Sequence, residues 1–415
     1  MISWLIAQES RRAFSRSMRF EAGVRPLLPE CHDSRPRLLY IHVPFCEQLC
    51  PYCSFNRVRF DESLCREYFA ALRKELILYR KRSYDFGGIY VGGGTPTVLI
   101  DELEKTLETA KECFSIGEIS VETNPNHLTG ERLTVLQRVG VNRLSVGIQS
   151  FDDDLLRAMG RFEKYGSGST NVERLKRTAG YFDTLNADMI FNFPIQTDEA
   201  LDRDLTLLLE TGVDQVTYYP LMVSDLTKKA VEKTLGVIDY RKERRMYHQI
   251  VSRLLPEYRF SSAWCFSRKE SMIDEYIVDY DEYAGVGSGS IGYMDGVCYA
   301  NTFDIKEYIG RLSKGEIPLM ASRRFTLRDR IRYDFIMNLF GLDLTIAPLQ
   351  LRYGGRIFRY LWQDIAALMI AGGLRYRRGA FSLTPRGRYY WIIMMREFFT
   401  AVNNFRAFCL QSREF

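Results

Sequence analysis

The sequence predicts an α/β protein: a partial (β/α)6, TIM-like barrel with its elaboration over residues 37–310, an extension before it (1–36), and a helical, winged-helix-like domain after it (311–415). Three observations carry this expectation. Short β-branched runs alternate with segments of helical apolar spacing, as a parallel sheet with right-handed crossovers requires. The alternation repeats six times, which suits an open barrel better than a closed ring of eight. Loops rich in cysteine and in glycine follow the first two strands, at the carboxyl ends where barrels of this kind carry their chemistry.

The elements follow in order. Trp4, Leu5 and Ile6, with Arg11, Arg12, Arg16 and Arg19, form a short basic amphipathic segment. It is expected to be a helix docked on the barrel, with a membrane-surface contact as the alternative. The strands are read at Arg37–Val43, Phe86–Val91, up to Glu122 from Ile119, Asn142–Val146, Leu185–Phe191 (with Asp188 at its beginning) and Gln215–Tyr219. Between them lie helices such as Asp101–Phe114, where Leu103, Leu107, Ala110 and Phe114 recur at helical spacing. Past residue 240 the pattern becomes more helical, with one strand-like stretch from Val286 to Tyr293. In the last domain a helical run ends at Ala371-Gly372-Gly373. A two-stranded wing (Arg375–Arg388) and a final helix follow.

Composition sets limits. With 57 basic against 52 acidic residues the net charge is +5, too mild for a nucleic-acid partner to be expected. The nine cysteines form no even, spaced framework of the secreted type. No apolar run reaches the ~20 residues of a membrane span. The reading is a cytoplasmic protein, compatible with peripheral contact at the inner membrane face.

The chemical signal is Cys46-Glu-Gln-Leu-Cys50-Pro-Tyr-Cys53. Three thiolates on one loop can each take one iron of a cubane 4Fe–4S cluster. The fourth iron then lacks a protein ligand, and the amine and carboxylate of S-adenosylmethionine (SAM) can chelate it. Zinc would ask for paired CxxC motifs or a fourth Cys or His, and no second pair exists. Cys31, Cys65, Cys113, Cys265, Cys298 and Cys409 read as small apolar fillers. Gly92-Gly93-Gly94-Thr95-Pro96-Thr97 follows the second strand, where glycines let backbone approach a ligand. Glu122 and Gln149 end strands three and four, and Arg161 follows the next helix. Taken singly, each is as readily a cap or a salt bridge.

Together Tyr40-Ile-His-Val-Pro-Phe-Cys46, GGGTPT, VETNP, NRLSVGIQSF, Gly160-Arg161 and DMIFNFP resemble the radical SAM family of oxygen-independent coproporphyrinogen III oxidase. The resemblance implies that Tyr40, Gly93 and Glu122 contact the cluster-bound SAM. It implies a second SAM lined by Tyr52, Gly94, Thr95, Gln149, Arg161 and Asp188. An electron donor such as flavodoxin or ferredoxin and a hydrophobic quinone or tetrapyrrole substrate complete the implied partners.

Departures divide the branch. The porphyrinogen decarboxylases carry a further Cys two residues after the third ligand, where this chain has Phe55. The haem chaperones carry a His-containing segment that Asp274–Ser290 lacks. The stretches Ser261–Glu270 and Tyr389–Arg406 look most like the class C radical SAM methyltransferases that act on C8 of menaquinone. The expectation is therefore a two-SAM C-methyltransferase acting on an sp² ring carbon. The decarboxylase, the haem chaperone and an anaerobic haem-degrading methyltransferase are the alternatives. Tyr218, Tyr219 and Tyr283 are candidates for accepting the last hydrogen, with ordinary packing as the competing role. On the final helix, Trp391, Met394, Met395, Phe398, Val402 and Phe405 form a stripe that would either dock the helix or greet a greasy substrate.

Overall fold

The computed structural model describes residues 2–20, 26–30, 37–269 and 280–411. Six strands form where the sequence places them: β1 (Leu38–Val43), β2 (Gly88–Gly93), β3 (Glu118–Thr123), β4 (Arg143–Gln149), β5 (Thr184–Phe191) and β6 (Gln215–Pro220). They lie side by side in chain order and all run parallel. Asp188 sits in mid-strand on β5, not at its beginning.

Both edges are longer than the alternation suggests. Beyond β6 lies β7 (Cys265–Ser267), antiparallel. On the other side β8 (Tyr283–Val286) adds a seventh parallel strand beside β1, and three antiparallel strands, β9 (Ile291–Met294), β10 (Val297–Asn301) and β11 (Leu319–Arg324), continue the sheet. The stretch Val286–Tyr293, read as one strand, is thus the end of one and the start of another. The chain reverses between them because Gly287 (φ +96°) and Gly289 (φ +79°) take left-handed backbone that few other residues adopt.

Side-chain alternation divides the barrel into two chemistries. Leu39, Ile41, Val121, Leu144, Val146 and Ala187 point outward into one apolar core shared with the helices. The lumen is polar. There Arg143 donates to Gln215 (2.7 Å) and Ser120 (3.1 Å), tying three strands together across the interior. Tyr218, raised above as a hydrogen acceptor, packs outward against Phe191 and is removed from the lumen. Tyr219 meets Trp264, and Tyr283 packs beside Tyr40 and Tyr90.

The C-terminal part has helices Leu327–Phe340, Ile346–Tyr353 and Arg356–Ile370, a wing of Leu374–Arg377 and Ala380–Leu383, and the final helix Pro385–Gln411. A third strand, Asp343–Thr345, joins the wing. The N-terminal helix Ile2–Ser17 docks mainly on the final helix, and Arg323 of β11 donates to the carbonyls of Ser17 (2.9 Å) and Arg19 (3.1 Å) at its end. Phe14 meets Phe398 edge-on (5.3 Å), and Arg11 pairs with the buried Glu397 at 2.7 Å. The 27-residue final helix, roughly 40 Å long at 1.5 Å per residue, is the longest face available. Most of its stripe is packing: Trp391, Met395, Phe398, Val402 and Phe405 are buried, and Met394 is half-buried. Among the described residues no helix is long and apolar enough to cross a membrane.

Candidate active site at the barrel mouth

The cysteine loop leaves β1 and is built by short-range bonds. Residues Phe45 and Cys46 pair in parallel with Val58 and Arg59, closing the loop at its base. Arg57 then donates to the carbonyls of Cys50 (2.5 Å) and Cys53 (2.8 Å), which holds the two turns together from inside. Cys46 and Cys50 are buried, Cys53 half-buried. Burial pushes the Cys46 thiol up to about 12, and its neighbour Cys53 adds to the rise. Such a thiol is inert until a metal takes its proton.

Two of the thiols receive hydrogen bonds, and the donors are themselves joined. Thr95 Oγ1 donates to Cys46 Sγ (3.8 Å) and Arg161 to Cys50 Sγ (3.6 Å). Asn124 bridges them: its Nδ2 donates to Thr95 (2.7 Å) while its Oδ1 accepts from Arg161 (2.9 Å). Arg161 also donates to Gly147 O and lies over the Tyr165 ring at 4.2 Å. Donors aimed at sulfur fit thiolates that carry negative charge, and such bonds tune iron–sulfur clusters. Among the described residues no three His, Cys, Asp or Glu side chains converge as a single metal ion would need. A cubane places each thiolate on its own iron, and three thiols on one loop, two of them with hydrogen-bond donors, suit it.

The glycine loop has structural reasons of its own. A Cβ on Gly92 would lie 2.9 Å from the Glu122 carboxylate, and one on Gly93 (φ +113°) 2.6 Å from the His42 ring. On Gly94 it would meet the Phe45 carbonyl oxygen at 2.6 Å. The loop is thereby pressed against the cysteine loop. Glu122 accepts from Tyr90 (2.9 Å) and from the Gly93 amide (3.1 Å). Burial, then the nearby Asp188, pushes its carboxyl up to about 7. Asp188 accepts from Ser145 (2.6 Å) and Asn186 (2.8 Å), and burial raises it too. Tyr40 and His42 share a 2.9 Å hydrogen bond, and burial lowers His42 to about 4, so its ring is neutral. Tyr52 packs edge-on to Phe193 and lies beside Cys50 and Arg161.

The structure thus gathers Tyr40, Tyr52, Gly93, Gly94, Thr95, Glu122, Gln149, Arg161 and Asp188 around one end of the barrel. Gln149 holds a left-handed φ of +73° where β4 and β5 slip register. Strain of this kind gathers at functional sites. Two site residues were missed as individuals. Asn124 was visible within VETNP but not as the bridge between thiols. Asn192, after β5, is buried at φ +69° with both side-chain polar atoms unpartnered. Buried amide groups normally find partners, so Asn192 has room in its bonding for a ligand.

The sequence model of the radical SAM superfamily matches residues 40–235. A haem chaperone, HemW of Bacillus subtilis, is 31% identical over 84% of this chain and 95% of its own length. Anaerobilin synthase of Escherichia coli O157:H7 is 29% identical over 72% of this chain and 70% of its own. Coproporphyrinogen III oxidase (HemN) from Escherichia coli superposes with a TM-score of 0.75 at 22% identity, covering 93% of both chains, and supports the fold.

These relatives overturn the menaquinone methyltransferase expectation and favour the alternatives weighed beside it. Its two supporting stretches turn out to be core. Trp264, fully buried, packs edge-on to Phe340 (4.8 Å) and beside Phe399 (5.8 Å). Residues kept for packing look alike between proteins that share a fold, whatever they bind. Glu270 and the first part of Asp274–Ser290 lie outside the described residues, as does Cys31. Matched along nearly the whole length of a haem chaperone and folded like a coproporphyrinogen oxidase, the chain belongs to the radical SAM superfamily, in its coproporphyrinogen III oxidase and haem chaperone branch.

Proposed function

We propose that this protein is a radical SAM protein whose further ligand is a tetrapyrrole, haem foremost. The observation that carries the ligand is the match to a haem chaperone over 95% of that relative's length. Cys46, Cys50 and Cys53 would hold a 4Fe–4S cluster, with Thr95 and Arg161 donating to two of its sulfurs. Tyr40, Gly93 and Glu122 would face the SAM chelated at the open iron. When bound and reduced, such a cluster supplies the electron that cleaves SAM to a 5′-deoxyadenosyl radical.

The chain's own contribution is placement and charge. The polar lumen offers acceptors (Glu122, Asp188) to hydroxyl and amine groups, while the apolar shell outside the strands keeps the barrel rigid. A second SAM would fall to Tyr52, Gln149 and Asp188. Thr95 and Arg161 serve the cluster loop first, and Gly94 is packed against Phe45.

The test is an anaerobic reconstitution. Wild type is expected to bind four irons per chain, to form 5′-deoxyadenosine from SAM and a reductant, and to shift the absorbance of added haem. Cys46→Ser, Cys50→Ser and Cys53→Ser should each lose the nucleoside product. A wild-type protein that cleaves SAM but ignores haem and consumes coproporphyrinogen with carbon dioxide release would replace haem by that substrate.

A further inference from the structure

Among the described residues Arg406 is a buried cation without an anion. It is 8% exposed, its Nε has no hydrogen-bond partner, and its one side-chain bond is a donation to the neutral Asn403 at 3.0 Å. No carboxylate among the described residues forms an ion pair with it. The other buried arginine of the final helix is paired: Arg396, 4% exposed, contacts both Glu243 and Glu397. A buried guanidinium left unpaired is costly, which marks the position as one that awaits an anion.

Its location says which molecule would bring one. The guanidinium lies over the Phe55 ring at 5.0 Å, and Phe55 is two residues past Cys53. Its charge is felt by His42 at the end of β1, helping to keep that ring neutral. Two residues earlier on the helix, Asn404 exchanges hydrogen bonds with Asp225, which opens the helix after β6 at the same end of the barrel. The last turns of the final helix therefore sit at the mouth, and Arg406 reaches inward from them over the cysteine loop.

We propose that Arg406 is a substrate-binding residue that pairs with a carboxylate of the tetrapyrrole, so that the final helix of the C-terminal domain forms part of the recognition site. This rests on the tetrapyrrole reading and adds to it the group recognised. Haem carries two propionates. A planar, fork-shaped donor placed over an aromatic ring is suited to a carboxylate. Phe55 is then the platform that orients the fork.

The experiment titrates the reconstituted, cluster-bearing protein anaerobically with haem and with haem dimethyl ester, followed by absorbance. Wild type should bind haem more tightly than the ester. Arg406→Gln should weaken haem by on the order of 30-fold or more, leave the ester unchanged, and keep iron content and melting temperature. Arg406→Lys should restore part of the preference. Equal affinity of wild type for haem and ester would overturn the proposal without any substitution, as would undiminished haem binding by Arg406→Gln. Binding of neither porphyrin by wild type would instead overturn the tetrapyrrole reading, and this inference with it.

Discussion

Replacing Glu75 by glutamine should change how stability depends on pH. Glu75 is fully buried beneath the turn after β8, where it accepts from the Gly287 amide (2.8 Å), from Asn301 (2.7 Å) and from Tyr308. Burial wins over these donors and pushes its carboxyl from 4.5 up to about 7. A carboxyl whose folded value lies above its unfolded one binds its proton more tightly in the folded protein. It therefore stabilises the fold below pH about 4.5, and that stability is lost as pH rises through about 7. The displacement corresponds to about 3 kcal/mol, falling by about 1.4 kcal/mol per pH unit inside the window.

Other groups titrate in that range. Glu122 and Asp204, also raised to about 7, add slopes of the same sign, whereas His42, lowered to about 4, gains stability as pH rises. The comparison with Glu75→Gln cancels them, since glutamine keeps the shape and cannot ionise. Chemical denaturation at pH 5 and pH 8, on apo and reconstituted protein, should show the variant near wild type at the lower pH and relatively more stable by about 2–3 kcal/mol at the higher. A difference between the two proteins that stays constant over this range would refute the account of Glu75.

Two further predictions follow from packing. Gly94→Ala forces a Cβ onto the Phe45 carbonyl, backbone that cannot swing away, so it should cost about 1–3 kcal/mol and displace Cys46. Iron content after reconstitution should fall, and full cluster occupancy at an unchanged melting temperature would contradict the close fit of the two loops. Trp264→Ala, at a site walled by Phe340 and Phe399, should lower stability by about 3–5 kcal/mol while the reconstituted cluster keeps its absorbance. A specific loss of ligand binding at wild-type stability would return Trp264 to the site.

What the sequence determined by itself is local. The six barrel strands announce themselves as short apolar, β-branched runs between helical segments, and the helices because apolar residues recur every three or four. The three cysteines and three glycines lie within runs of eight and six residues, so their chemistry is legible without a fold. Tertiary structure decided the rest. β8 is four residues long and joins β1 from more than two hundred residues away. The thiol donors Thr95 and Arg161, and the Asn124 amide that bridges them, meet only once three loops are stacked at one end of the barrel. The final helix shows one apolar stripe in sequence, but its burial under the N-terminal helix and the reach of Arg406 over Phe55 depend on where the whole domain comes to rest. Side chains distant in the chain acquire shared chemistry through packing, and no periodicity records such a meeting. For that reason the cluster loop could be read early, whereas the substrate suggested by Trp264 and the last helix could not: those residues are alike for the sake of the core they fill.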